Sequence, residues 1–290
     1  MFTVSLARKK NWPRVIATIH GLAWPARAGN KRLLLKKAEV TAAKKMDHVL
    51  LLNKQDLALM NQNGIDHAKI LFKYGIGCNS SLFKPSITPS TEHLELKKKL
   101  GIKKEDIVFI FIGRQTSFKG FNKVIRAFMK IYHAKSPYHL LLIGDTDHIH
   151  ESGLNPTEES LLSQIPAIHQ IGWKKNIENF LAIADINVFP SQREGLPVNL
   201  MESLSMGVPV ITINSRGCNE IIEHDVNGLI LDDESVDTLA LAMKQLANNF
   251  VLRNRLSENA LTDKSKYDRR LFIEKQLEFY ETLEHESIAN

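Results

Sequence analysis

An α/β protein of two lobes, each built on a parallel sheet, is what this sequence predicts, and three observations carry that expectation. Short apolar, β-branched runs alternate with helical stretches along the chain, the pattern of a parallel sheet with crossover helices. The length of 290 residues holds about two domains of roughly 100 to 150 residues each. A stretch at 85–89, with Pro, Ser and Thr around it, separates two series of runs and reads as a linker.

In the first lobe, residues 1–90, strands are expected at 15–19 (VIATI), 48–52 (HVLLL) and 69–72 (KILF), with helices near 31–46 and 54–63. In the second, residues 91–267, strands are expected at 107–112 (IVFIFI), 139–143, 186–189, 208–213 and 228–231. Helical patterns near 119–133, 158–164, 176–184, 197–206 and 235–248 separate them. Segment 268–290 is expected to be a C-terminal helix packing back toward the first lobe, with Leu271, Phe272, Lys275, Phe279, Tyr280 and Leu283 near helical spacing. Three strands and two helices are too few for a self-sufficient doubly wound lobe, so the first lobe is expected to be incomplete.

The 43% hydrophobic and 24% charged fractions exclude a mainly disordered, collagen-like or membrane-embedded chain. Two cysteines, Cys78 and Cys218, cannot make a disulfide framework, which points to a reducing cytosol. No apolar run of about 18 residues occurs, and the start of the chain lacks the apolar core of a secretory signal. The net charge of +6 is uneven: residues 1–100 hold 18 Lys and Arg against 6 Asp and Glu, and residues 101–290 hold 20 against 26. A basic lobe attracts phosphates or anionic lipid, although a solvated lysine-rich surface gives the same count. A nucleic-acid binder is disfavoured, because the basic stretch lacks interleaved aromatics and a binding motif.

Three loops sit where a strand ends and a helix begins, the place where open parallel sheets bind ligands. The first is Gly113-Arg114-Gln115-Thr116-Ser117-Phe118-Lys119-Gly120. Gly113 allows a sharp turn, Arg114 offers a planar fork of donors, and Lys119 adds a point charge at a helix start, which makes a diphosphate clamp or simply a basic surface turn. The second runs from Ser191 to Glu202, with Pro197 suited to the first turn of a helix and Gly207 to its stop. Glu194 and Glu202 then face one ligand at different depths while the N–H groups of Gly195 and Leu196 point at phosphate oxygens; the plainer reading makes Glu202 a solvated helix residue and Glu194 a charge that favours the helix dipole at its N-terminus. The third is Ile19-His20-Gly21, whose lone histidine is either functional or a surface group. No G-x-G-x-x-G follows a first strand, which argues against a dehydrogenase.

Taken together, REGLPVNLMESLSMGVPVI, AIADINVFPS before it, NEIIEHDVNGLIL after it, GRQTSFKG, TIHG and GIGCNSSLFKP resemble the retaining glycosyltransferases of family 4. Within that family the sequence looks most like bacterial enzymes that build capsular or exopolysaccharide repeat units, from about residue 10 to 285. The resemblance implies a GT-B fold, two Rossmann-like lobes with the nucleotide-sugar donor mostly in the C-terminal one. It implies that Arg114 and Lys119 bind the donor diphosphate after Gly113, that Glu202 takes the ribose hydroxyls, and that Glu194 with the amides of Gly195 and Leu196 holds the sugar and phosphates. His20 would lie near the sugar's reacting face, and Gly172 and Trp173 would border the base. No cofactor and no metal are implied; the donor, UDP-linked in this expectation, is a substrate. The D-x-D at Asp145 and Asp147 matches the family's turn after a strand and is read as a turn.

The implied acceptor is a glycan, carried on a polyprenyl diphosphate, and the implied place is the cytoplasm, peripheral on an anionic inner membrane face. Asn79 stands where the family commonly has Asp. TIHG lies well inside the first lobe in that family, so on the order of a hundred residues of sheet are expected upstream. The alternative is a truncated, non-catalytic donor-binding fragment or one half of a split enzyme.

Overall fold

The computed structural model describes residues 14–85, 90–262 and 264–288; most of the expected linker, 86–89, lies outside them. Contacts divide the chain into two compact units, residues 1–77 with 193–196 and 268–290 in the first, and 78–192 with 197–267 in the second.

In the first unit, β1 (Ile16–Ile19), β2 (His48–Leu51) and β3 (Ala68–Lys69) form a parallel sheet in that order, with Ile16 opposite His48 and Val49 opposite Ala68. α1 (Gly29–Ala43) follows β1. α2 (Lys54–Asn61) follows β2 and starts because the Asn53 side chain accepts from Asp56 N. Val49 and Leu51 pack with Leu22, Trp24, Met46 and Met60 in a core. The spacing predicts a four-residue third strand, but β3 stops at Lys69: the chain turns from Phe72 onward through Gly75 and Gly77 at φ 57 and 61, a left-handed backbone that ends pairing.

The second unit begins at Cys78, earlier than the boundary near residue 90 that the linker suggests. Cys78 N donates to Tyr267 O at 2.7 Å, and Phe83 packs in a core with Ile102, Val108 and Ile110. α3 (Thr91–Lys99) opens on a Ser90 and His93 capping box; none of its residues is fully buried and Leu96 alone of the helix packs half-buried on the core, so periodicity did not reveal it. β4 (Ile107–Ile112) has no polar residue to offer water on either side, and it becomes the centre of a sheet covered on both faces. Val108, Ile110 and Ile112 join Leu141, Ile143, Phe180 and Leu181 on one side. Phe109 and Phe111 meet Phe128 and Phe121 edge-on on the other.

The later elements are α4 (Phe121–Ile131), β5 (Tyr138–Ile143), α5 (Pro156–Gln164), β6 (Ile168–Gly172), α6 (Ile177–Leu181), β7 (Ile186–Val188) and α7 (Val198–Ser205). They continue as β8 (Val210–Ile213), β9 (Gly228–Leu231), α8 (Val236–Asn248) and α9 (Phe250–Thr262). All six strands are parallel, in the order β6-β5-β4-β7-β8-β9. α9 and β6 are additions to the sequence reading. β6 carries His169 and Gln170 among its apolar residues and so lacks a clean run.

α10 (Arg269–Ile288) belongs to the first unit, where Phe279 and Leu283 cover Leu50 of β2. The sequence spacing puts Leu271, Lys275 and Tyr280 on the same apolar face. The helix is instead turned so that Phe272, Gln276, Phe279 and Leu283 form the inward stripe, and Leu271 and Tyr280 are exposed.

Candidate functional site

The strand order of the second sheet reverses at β4 and β7, because the chain leaves β4 toward β5 and returns on the other side. Such a switch point opens a crevice at the carboxyl ends of the two strands. The loop 113–120 follows β4 and 189–192 follows β7. Gln192 N donates to Phe118 O at 2.9 Å, which ties the loops together. A Cβ on Gly120 would lie 2.5 Å from Pro190 Cγ and 2.6 Å from Pro190 O, at φ +81, so only glycine fits this crossing. The helix expected from residue 119 starts at Phe121 instead, after a tight turn over Ser117–Lys119. Lys119 thus precedes the helix, and its Nζ lies over the rings of Phe118 and Phe189 at 5.8 and 5.7 Å.

The segment after β5 forms one wall of the first loop. Gly113 N donates to Ile143 O, Gln115 N to Asp145 O and Ser117 N to Glu151 O, at 2.9, 2.9 and 3.0 Å. Asp145 Oδ1 accepts from Trp173 N at 3.0 Å. Asp147 Oδ1 accepts from Ile149 N at 2.9 Å, and its Oδ2 meets His150 Nδ1 at 3.1 Å and Arg114 Nη1. Both carboxylates of the D-x-D are thus used in holding turns. The Ile149 N–H, then His150 and Arg114, hold the Asp147 carboxyl well below its ordinary range, at about 2. Arg114 also lies over the Phe118 ring at 5.5 Å.

Gly172 ends β6 at φ 71 and accepts from Gly144 N at 3.0 Å, which places it and Trp173 beside the same wall. The Trp173 side chain is exposed. Glu202 is half-buried on α7, and Pro197 stands just ahead of that helix with an extended backbone. Two asparagines that the sequence reading passed over fix α7: Asn199 Nδ2 donates to Ile112 O at the end of β4, at 2.8 Å, and Asn187 Nδ2 donates to Ser203 Oγ at 2.7 Å.

Glu194, Gly195 and Leu196, expected in the second lobe, group with the first unit. The reason is close backbone approach: a Cβ on Gly195 would lie 1.7 Å from His20 O, and one on Gly21 would lie 3.1 Å from Gly195 Cα. Leu196 is buried, its Cδ2 beside the position a Gly75 Cβ would take. Asn53 Nδ2 donates to Gly195 O at 2.9 Å and to Asp56 Oδ2 at 2.8 Å, and Asp56 Oδ2 accepts from Leu22 N at 3.1 Å. Asn53 and Asp56, both fully buried, therefore join the turn after β1 to residues 193–196. The His20 side chain is exposed, and Glu194 is half-buried.

Gly113, Arg114, Lys119, Gly172, Trp173 and Glu202 thus lie in the second unit, and His20, Glu194, Gly195 and Leu196 in the first. Among the described residues no group of three or more His, Cys, Asp or Glu is placed to hold a metal ion, and no helix is long and apolar enough to cross a membrane.

Two parallel-sheet units, one of them a doubly wound sheet with a basic loop at its switch point, are the architecture of the GT-B fold. The chain matches the family model of glycosyl transferases group 1 over residues 92–263, and it belongs to that family. It is 26% identical over 267 residues to the UDP-Gal:alpha-D-GlcNAc-diphosphoundecaprenol alpha-1,3-galactosyltransferase of Escherichia coli, covering 87% of this chain and 65% of that protein. It is 27% identical over 233 residues to the N,N'-diacetylbacillosaminyl-diphospho-undecaprenol alpha-1,3-N-acetylgalactosaminyltransferase of Campylobacter jejuni, covering 80% and 59%. The chain therefore spans about three fifths of the length of these relatives. Among solved structures, Anabaena HepE in complex with UDP and glucose superposes with a TM-score of 0.78 at 19% identity, over 93% of this chain and 71% of that one.

Proposed function

We propose that the protein transfers a sugar, with retention, from a UDP-linked donor to a glycan acceptor carried on a polyprenyl diphosphate, in surface polysaccharide synthesis. The observation that carries this reading is the basic loop 113–120 at the switch point of the second sheet. Breaking a glycosyl–phosphate bond builds negative charge on the departing diphosphate, so Arg114 and Lys119 beside it stabilise the transition state more than the ground state. In this reading Glu202 accepts from the ribose hydroxyls, and Gly172 and Trp173 border the base. Glu194 and the amides of Gly195 and Leu196 hold the sugar and phosphates, and His20 serves the reacting face. No resident cofactor is invoked.

The Escherichia coli and Campylobacter jejuni relatives, by their names transferases to diphosphoundecaprenol-linked sugars, support the acceptor class. The UDP held by HepE supports the donor class. An anionic membrane surface on the cytoplasmic side is the proposed partner of the first unit. Leu33 and Leu34 of α1 are 65% and 70% exposed in a helix that also carries Arg32, Lys36 and Lys37.

Calorimetry with UDP on wild type and Arg114→Ala tests the donor assignment. Charge-assisted hydrogen bonds are worth about 1.5 to 3 kcal/mol, so the variant should bind roughly ten- to a hundredfold more weakly. Equal affinity of the two proteins would remove the clamp. The second reading, a donor-binding module without catalysis, draws on the same loop 113–120, which lies wholly in the second unit. UDP binding without transfer to any lipid-linked acceptor would select it.

A further inference from the structure

The carboxylate that meets Arg114 stands in the stretch 144–153, and its surroundings are unequal. Asp147 is nearly buried, its side chain 7% exposed, and it keeps two other hydrogen-bonding partners, Ile149 N and His150 Nδ1. Arg114 is 55% exposed and lies over the Phe118 ring, so its guanidinium can swing while the backbone on either side stays pinned by the Gly113 and Gln115 amides. His150 meets Phe118 edge-on at 5.1 Å, which fixes the far side of the same cluster. Once Arg114 leaves, Asp147 is still solvated by the protein. A carboxylate and a phosphate compete for one guanidinium, because each repels the other at such short range.

We propose that Asp147 is a positioning residue that holds Arg114 in a parked state and yields it to the diphosphate of a nucleoside diphosphate, so that donor binding exchanges a carboxylate partner for a phosphate one. The inference rests on the reading of 113–120 as the diphosphate loop. It adds that the loop is regulated by its own counterion. The Asp147 carboxyl stays ionised throughout the neutral range, so it remains a charged partner for Arg114.

A double-mutant cycle tests it, with UDP and inorganic pyrophosphate as probes, on wild type, Asp147→Asn, Arg114→Ala and the double variant. Asp147→Asn keeps an acceptor for Ile149 N; Asp147→Ser is a second variant, and melting curves verify the fold of each. Losing this competitor for Arg114, Asp147→Asn should bind both probes roughly two- to fivefold more tightly. In the Arg114→Ala background the same change should have no effect. Equal tightening in both backgrounds would mean that Asp147 acts only through its field, and would overturn the exchange. Weaker binding by a folded Asp147→Asn protein would mean that Asp147 orients Arg114 for phosphate, and would also overturn it. Failure of wild type to bind either probe would bring down the donor reading itself, and the exchange with it. Binding that depends on Arg114 but not on Asp147 would remove the exchange alone.

Discussion

The side-chain amide of Asn53 donates to the carbonyl oxygen of Gly195, 142 positions away in sequence, at 2.9 Å. The same amide group reaches Asp56, whose carboxylate holds Leu22 N, so one buried asparagine fixes the turn after β1 and residues 193–196 together. Asn53→Ala removes the helix cap and leaves the Asp56 carboxylate and the Gly195 carbonyl short of a donor. A loss of about 2 to 3 kcal/mol in unfolding free energy is expected. Chemical denaturation measures it, and a change under about 0.5 kcal/mol would contradict the network.

Gly120→Ala should be more damaging to donor binding than its size suggests. The new methyl would sit 2.5 Å from Pro190 Cγ at a positive φ, so the loops after β4 and β7 must part. Strain of this kind costs on the order of 1 to 3 kcal/mol. UDP affinity should fall roughly tenfold or more by calorimetry, while Gly101→Ala, also at a positive φ but with nothing within 4 Å of the new Cβ, leaves it unchanged.

Acid should weaken the second unit through His169. Burial, then the neighbouring His139, pushes its imidazole down to about 4 from 6.5. The Asp106 carboxylate only accepts, so His139 Nε2 carries the proton toward it, and His139 Nδ1 accepts from His169 Nε2 at 3.0 Å. Between pH 6.5 and 4 the unfolded chain binds more protons at this residue, so stability is full above 6.5 and lost as pH falls toward 4. Denaturant midpoints across that window should give about 1 to 2 kcal/mol after screening. His169→Gln should flatten that part of the slope; an unchanged slope refutes the assignment.

The two glutamates should separate by ligand. Glu202→Ala is expected to weaken UDP and UDP-sugar alike, because a ribose is common to both, by roughly tenfold. Glu194→Ala should mainly weaken the UDP-sugar. Calorimetry with both ligands decides, and the reverse pattern would exchange the two roles.

Association with anionic vesicles should depend on α1. Sedimentation with anionic lipid is expected to fall several-fold on replacing Leu33 and Leu34 by Ser, and to fall with added salt as the charges are screened. Binding indifferent to ionic strength would count against the basic surface.

Much of this was legible in the sequence wherever one property dominated. IVFIFI, all apolar and β-branched or aromatic, reads as a strand buried on both sides, and GRQTSFKG after it as a strand-to-helix loop. What stayed hidden was set by partners far along the chain. Arg114 gives no sign that Asp147 meets it, and Asn53 gives no sign that Gly195 is its acceptor. The grouping of 193–196 with the first unit follows from the missing Cβ of Gly195 against His20, a fact of space and not of pattern. β6 escaped because His169 and Gln170 break its apolar run, and α3 because a single half-buried leucine, Leu96, is too little to show a period.

The covering of Leu50 by Phe279 and Leu283 sets an order of assembly. A chain emerging from the ribosome at about 5 to 20 residues per second makes β2 roughly 10 to 50 seconds before the helix that seals its outer face. The second unit, with its strands and helices all made in one nearly continuous stretch, has what it needs first. The first unit is therefore completed after the second, and until then the uncovered Leu50 side of its sheet is the place where a nascent chain would call on a chaperone.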